Sequence, residues 1–461
     1  MKRSAATMLL IASCLLLHGI LSLAQDAAPA QAPAQEDAAA APAAPVQETA
    51  PAQEGKPAVS ADDYTIFFSP PEKLDALFDA MMDAIPYASL EDFVEKNPGM
   101  IYAEFSWEKK PKTDLASLKA LQSKFGDMPE YWQMMYAFGV CDRKERSIYL
   151  NKAYHLFLRD PATVYFYARY SLTPGGDSTD TQHLITADTY AQKRTAAALI
   201  ARAAELDGSN SFYWYEAANA ISQCGGVEET LDYIRHGNEC PVSELVEPFP
   251  FSYIARHHDE LPARYPDKYL LLQPWEFNER LSSLISYKNM LRNVTTGVSL
   301  SGELGWLTDA HRMACHFASQ RYAPFMVVLM GSVFDGILSR AAIDLGYAPE
   351  TPEEVNGFAL FQNKRGEING LCKAASYAGS DELKKRLGLE GMALSSLELT
   401  DPRFKECLQY NWQNDSDFFR VVLPHIQTQY ERLIPFDFAN PGDYIGRPKS
   451  SPAAEPDTSG Q

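Results

Sequence analysis

Apolar residues recur at helical spacing along most of this chain, with polar residues between them. Leu74, Leu77, Phe78, Met81, Met82 and Ile85 fall at i, i+3, i+4, i+7, i+8 and i+11, which sets one apolar face on an α-helix. Ser69-Pro70-Pro71 opens that helix, because proline suits a first turn whose N–H has no intrahelical partner. Ser89 with Asp92 resembles a capping box ahead of Phe93 and Val94. Leu115, Leu118 and Leu121 mark a further helix. Pro129 to Phe138 and Arg146 to Leu158 read as a hairpin that closes on Arg159-Asp160-Pro161.

The clearest helical run is Thr195 to Pro241. Leu199, Ala203 and Leu206 line a first helix. Trp214, Ala217, Ala218 and Ile221 share a side of a second, from Ser211 to Gln223. Val227, Leu231 and Ile234 line a third. Isolated helices of this length are marginal in water, so each apolar stripe requires a neighbour. Asp207-Gly208-Ser209-Asn210 ends one helix and offers a cap for the next, and Gly225-Gly226 permits a tight turn.

These residues resemble the tetratricopeptide repeat, whose pattern runs Trp, Leu-Gly and Tyr on one helix, Ala-x-x-x-Phe on the next, then Pro. Trp214 stands in the first place, Ala217 and Ala218 in that of Leu-Gly, and Ile221 in that of Tyr. Thr230 and Ile234 stand for Ala-x-x-x-Phe, and Pro241 lies near the closing proline. One period of about 34 residues earlier lie Ala196, Ile200 and Ala203. Leu206-Asp207-Gly208 is similar to the family's Leu-Asp-Pro turn. The resemblance covers Ala196 to Pro241, about one and a half repeats; Thr230 in place of Ala and Gly237 on the third helix depart from it. It implies an all-α chain of stacked helical hairpins, an α-solenoid. Pro161 and Gly208 are 47 residues apart, so the period is not kept and the expected solenoid is irregular.

Pro248, Pro250, Pro262, Pro266 and Pro274 then interrupt the rhythm and suggest a connector. Beyond it, Phe277 to Leu291 is a helix, and Leu304 to Ser319 with Phe325 to Leu345 form a second hairpin turned at Tyr322-Ala323-Pro324. Up to Leu338 the latter helix carries only Ser332 and Asp335 as polar side chains, which with Ser339 make a thin polar stripe. Its continuous apolar run is too short to span a bilayer and reads as a central helix. After Gly346 the pattern weakens. Thr351 with Glu354 can cap a helix bearing Val355, Phe358 and Ala359, with Phe361 as a further candidate. Shorter helices are expected at Asp381 to Leu387, Asp401 to Tyr410 and Ser416 to Leu433, the last kinked or split at Pro424.

The ends of the chain change the picture. Met1-Lys2-Arg3, the apolar run Met8 to Ala24 and the small residues Ser22 and Ala24 read as a secretory signal peptide. Its cleavage would take the net charge from −19 to −21. A lipid anchor at Cys14, within Ile11-Ala12-Ser13-Cys14, and an uncleaved anchor helix are the alternatives. Gln25 to Ala61 is built from Ala, Pro, Gln and Glu without an aromatic, a composition for a disordered, semi-extended spacer. The expected organisation is therefore signal 1–24, linker 25–61, hairpin lobe 62–247, connector 248–273, second lobe 274–447 and tail 448–461. The expected location is periplasmic or extracellular.

An acidic balance argues against binding nucleic acid or an anionic membrane through charge. After Cys14, six cysteines remain: Cys141, Cys224, Cys240, Cys315, Cys372 and Cys407. Pairing and buried free thiols both stay open. Met81-Met82 reads as core filling. His257-His258-Asp259-Glu260 is the most ligand-like run, but adjacent helical residues diverge by about 100°, so it reads as an exposed polar turn. His311 and Cys315 sit four apart beside His316, a spacing open to metal or Cys–His chemistry. Yet His311 shares a face with Leu304, Leu307, Ala314 and Ala318 and reads as a packed histidine. Asn293-Val294-Thr295 and Asn414-Asp415-Ser416 are glycosylation sequons, meaningful only in a eukaryotic secretory host.

The chain carries no phosphate-binding glycine loop, Gly-x-Ser-x-Gly, Cys-x-x-Cys or His-Glu-x-x-His. No catalytic, cofactor-binding or metal residue is assigned, and no cofactor is expected. The expectation is an exported, non-enzymatic scaffold that binds protein or peptide in a cell envelope, with no membrane span after signal cleavage. The competing expectation is an envelope-acting hydrolase or modifying enzyme, with Trp107, Trp132, Trp275 and the His257-to-Glu260 run lining a cleft.

Overall fold

Where the sequence places caps and first-turn prolines, helices begin. The computed structural model describes residues 68–102, 105, 115–138, 143–171, 187–272, 280–345, 347, 349–392 and 394–444. The signal, linker and tail, with Cys14, Trp107, Cys141 and Trp275, lie outside the described residues. Those described are helical, joined by turns and three isolated β-bridges, with no strand among them. The chain is all-α.

The first half runs α1 (Pro71–Ala84), α2 (Leu90–Lys96), α3 (Leu115–Ala120), α4 (Gln122–Phe125), α5 (Pro129–Ala137), α6 (Arg143–Leu156), α7 (Pro161–Ser171), α8 (Ala187–Leu206), α9 (Ser211–Ile221) and α10 (Val227–Asn238). From α5 to α10 each helix packs on the next. In α1, Leu74, Leu77, Phe78, Met81 and Met82 are all buried, so the Met pair is core. Ser89 caps α2 by accepting from the Asp92 N–H. Asn210 caps α9 by accepting from Phe212 N–H.

The buried face of α8 differs from the expected stripe. Ala196, Ala197, Ile200, Ala203 and Ala204 are buried, whereas Leu199 and Leu206 lie at the half-buried border. The helix sits between α7 and α9, and small side chains let backbones approach on both sides. Helix α9 is buried on nearly all faces and Trp214 is its half-exposed residue. Leu231 and Ile234 of α10 are wholly covered.

The expected connector contains short helices α11 (Phe251–Arg256) and α12 (Leu261–Arg264) and a 3₁₀ turn at Tyr269–Leu272. Its approach is pinned by parallel bridges of Asn210 with Val242 and of Glu244 with Arg321. Then follow α13 (Arg280–Ser301), α14 (Leu304–Ala318), α15 (Phe325–Asp344), α16 (Pro352–Arg386), α17 (Pro402–Asp417) and α18 (Leu423–Glu431). Helix α14 packs on α10 and α15, while α13 lies against α9, α10, α14 and α15. By length and apolarity α15 could cross a membrane, but 61% of the relevant window is buried inside the protein, the position of a core helix.

One expectation in this half is revised and one holds. The helix capped at Thr351 does not stop before the one expected at Asp381 to Leu387: α16 runs unbroken for 35 residues from a complete Thr351–Glu354 capping box, while α17 begins at the expected Asp401 cap. The covered positions of α16 include Gly357, Phe361, Arg365, Ile368 and Cys372, a helical stripe disguised by a glycine and an arginine. The last expected helix is divided ahead of Pro424, as the proline predicts, with a π-turn at Phe418–Val422 and Pro424 in the first turn of α18.

Helices α14 and α15 meet at Gly331, where an added Cβ would strike the backbone and side chain of Ala318. Gly366, on the exposed side of α16, has open space. Gly331→Ala should therefore destabilise by about 1–3 kcal/mol through overpacking. Gly366→Ala should be neutral or stabilising by up to about 1 kcal/mol from helix propensity. Thermal melts by circular dichroism would separate the two, and equal effects would contradict this packing.

Candidate functional site

Among the described residues, a close group of chemically capable side chains lies in the core, where α14, α15, α16 and the segment after α18 converge. His311 of α14 faces Asp335 of α15, with Nδ1 2.6 Å from Oδ1. The other carboxylate oxygen accepts from Arg365 Nε of α16 at 2.5 Å. The second ring nitrogen of His311 lies 2.9 Å from the Leu433 carbonyl. Both ring nitrogens thus face acceptors, an arrangement fully satisfied when each carries hydrogen. Arg365 Nη1 also donates to Gln362 Oε1 at 2.9 Å. His311 is fully buried, Asp335 is 2% exposed and Arg365 7% exposed, so the group is closed to solvent.

Aromatic rings enclose it. Phe436 stacks on Phe361 with centroids 3.8 Å apart, and Phe361, Phe436 and Phe438 present edges or faces to the His311 ring. Thr308 Oγ1 donates to Asp437 Oδ1 at 2.8 Å and accepts from Phe438 N–H at 3.0 Å. Burial opposes ionisation of Asp335, yet the Arg365 and His311 charges outweigh it and hold the carboxyl below its usual range.

Cys315 completes the group that could in principle hold a metal, its sulfur joining His311 and Asp335 within 4.8 Å. The sulfur is 3.6 Å from His311 Nε2 and 3.8 Å from Nδ1. Near-equal distances place it off either nitrogen's lone-pair direction, unlike a nucleophile bonded to its base. Burial pushes the thiol well above its usual range, against the thiolate that either chemistry uses. His311 and Asp335 spend their polar atoms on each other, Arg365 and Leu433. The arrangement suits an internal ion-pair pin.

The sequence marked His311 as packed and Asp335 as part of a polar stripe, and the structure joins them. Arg365 was missed, although a lone charge on the apolar stripe of α16 was the available signal. Ser332, from the same α15 stripe, donates to Asn369 Oδ1 at 2.6 Å.

The His257-to-Glu260 run does not converge. His257 stacks on Tyr253 at 4.2 Å and meets Glu260 at 3.2 Å. His258 stacks on Trp412 at 4.0 Å, and its Nδ1 is 2.9 Å from Ser416 Oγ. The expected exposed turn is therefore half right: His258 is only 7% exposed, and burial pushes it down to about 4. Trp132 is buried and donates to the Gly126 carbonyl at 3.0 Å. Phe166, Tyr213 and Tyr215 are interior, whereas Trp214 forms a half-exposed panel with Tyr233 and His236. Cys224, Cys240, Cys315, Cys372 and Cys407 are free thiols. The Asn293 sequon lies on α13, where its side chain donates to the Ser222 carbonyl at 3.2 Å.

Two further polar seams tie distant elements. Glu216 of α9 accepts from Tyr287 of α13 at 3.0 Å, and Asn219 accepts from Ser286 at 2.7 Å. Glu244, 2% exposed, pairs with Arg256. Asn210 grips the Glu244 backbone, donating to its carbonyl and accepting from its N–H, both at 3.0 Å. No family model, curated protein or solved structure matches the chain.

Removing Asp335 leaves Arg365 buried without its anion. Asp335→Ala should therefore cost about 3–5 kcal/mol in urea unfolding. The wild-type contribution has a definite sign with pH. A carboxyl held low in the folded state stabilises above its unfolded value, about 3.9, and that stability is lost as pH falls through the folded value. Asp335→Asn should flatten this acid limb of the stability profile. An unchanged limb would show that other carboxylates set it.

Proposed function

We propose that this protein is an exported, non-enzymatic helical scaffold, an irregular α-solenoid that binds another protein or peptide in a cell envelope. The observation that carries this reading is the unbroken succession of packed helices from α5 to α10, continued through α14 and α15. Stacked helices of this kind offer extended surfaces suited to macromolecular partners. The resemblance of Ala196 to Pro241 to tetratricopeptide hairpins supports the same reading, as does an amino terminus with the features of a signal peptide followed by a spacer.

The core chemistry supports a scaffold over the enzyme alternative. Its most reactive-looking residues, His311, Cys315 and Asp335, are sealed beneath aromatic rings and engaged internally. On the outside, α6 exposes Ile148 and Leu156, and Leu158 follows directly. Leucine and isoleucine at that exposure form a surface to test for partner contact.

The test is cross-linking of the tagged full chain in its native envelope, followed by mass spectrometry, with an Ile148→Glu/Leu156→Glu variant beside it. A reproducible protein partner, lost in the variant while the helical circular dichroism spectrum is retained, is the expected result. Retention of the chain in the cytoplasm, or turnover of envelope glycans or peptides by the purified protein, would overturn the reading.

A further inference from the structure

The stretch from α5 to α7 runs against the charge of the chain, which carries 60 Asp and Glu against 41 Lys and Arg. On α5 the one carboxylate, Glu130, is buried and accepts hydrogen bonds from Phe68 N–H at 2.8 Å and Ser69 N–H at 3.1 Å. Helix α7 has no carboxylate. Asp160 ahead of it is buried and accepts from Thr163 N–H at 2.9 Å and from the Gln133 amide at 3.4 Å. Between them, the segment Arg143 to Arg159 holds Arg143, Lys144, Arg146, Lys152 and Arg159 against Glu145, with Asp142 just before it. Lys152 and Arg159 are exposed, and among the described residues neither has a carboxylate in ion-pair contact. The Lys152 ammonium lies over the buried Trp132 ring of α5, 4.3 Å from its centroid. That cation–π contact holds the charge in place and leaves it open to solvent.

The same face carries aliphatic side chains in water. Ile148, Leu156 and Leu158 are each more than half exposed, while the inward side of α6 is supplied by Leu150 and Ala153. Ile148, Lys152, His155 and Leu156 fall at i, i+4, i+7 and i+8, which sets them on one face of the helix, and all four are exposed. Lys152 stands midway between Ile148 and Leu156, which eight residues of helix set about 12 Å apart along the axis.

We propose that this face of α6 binds an acidic segment of another protein, with Ile148 and Leu156 taking apolar side chains and Lys152 and Arg159 taking carboxylates. Charge complementarity selects the occupant, because two exposed cations without carboxylate partners stand beside the aliphatic residues in an otherwise acidic chain. An extended segment covers about 12 Å in about four residues. The matching pattern is therefore two apolar residues four apart with an acid midway, opposite Lys152. A bilayer surface fits less well. A helix lying in a membrane interface presents a continuous apolar face, whereas Lys152 and His155 separate the aliphatic residues here. A net charge of −19 also repels an anionic membrane. This inference rests on the scaffold reading and names the chemistry of its partner.

Fluorescence anisotropy of the purified full chain tests it, with a labelled Leu-Glu-Glu-Glu-Leu-Glu-Glu peptide and a counterpart in which lysines replace the glutamates. The glutamate peptide should bind about tenfold more tightly or better, and Lys152→Glu/Arg159→Glu should abolish or reverse that preference. Equal affinity for the two peptides, a preference that survives the charge reversal, or adsorption to phosphatidylglycerol vesicles in place of the peptide overturns the proposal. Should the double variant lose its helical circular dichroism spectrum, Arg159→Glu alone decides: about threefold weaker binding of the glutamate peptide supports the proposal and unchanged binding refutes it. An envelope partner that is lost in Ile148→Glu/Leu156→Glu but retained in Lys152→Glu/Arg159→Glu would sink this inference and leave the scaffold reading standing.

Discussion

A short amphipathic helix in water gives up its apolar face to solvent and its end groups to fraying, so it persists only where another helix covers it. That constraint shapes this protein from α5 onward. Alanines on α8 let α7 and α9 approach from both sides, and α9 is covered almost all round. The same demand for close approach places Gly331 against Ala318, where α14 and α15 cross. Area removed from water supplies the driving force, and side-chain size at each crossing sets how near the axes come.

Apolar covering does not by itself fix register, because greasy surfaces slide with little penalty. Directional polar contacts inside this body remove that freedom. Asp335 joins α15 to Arg365 of α16 and His311 of α14, and His311 in turn meets the Leu433 carbonyl. Glu216 and Asn219 orient α13 on α9, and Asn210 with Glu244 fixes the strand-like entry to the connector. Burying such groups carries a desolvation cost of several kcal/mol per ion, so their contribution here is read as geometric. Breaking one leaves a buried charge or dipole unsatisfied, which penalises alternative packings.

This division bears on function. Histidine, cysteine and aspartate within one small volume invite a catalytic or metal reading, but a site also needs access and unspent donor atoms. The core cluster is enclosed by Phe361, Phe436 and Phe438, and its polar atoms are already paired. What the body offers outward is helix surface, including the panel of Trp214, Tyr233 and His236.

From the sequence alone came the all-α class, most helix starts, the break at Pro424 and the packed state of His311. Local rules govern these: side-chain periodicity, caps, and proline's missing N–H act within a few residues. The single length of α16 was hidden because Gly357 and Arg365 occupy its covered stripe, and their fit depends on the 441–443 turn and on Asp335. The buried face of α8 was misjudged for a related reason, since hydrophobicity ranks leucine above alanine while close packing selects alanine. Pairing of Asp335 with Arg365, and of Glu130 with the Phe68 and Ser69 N–H groups, belongs wholly to the tertiary structure. Such contacts join residues tens of positions apart, and no spacing rule along a chain reports which turns of which helices will face each other.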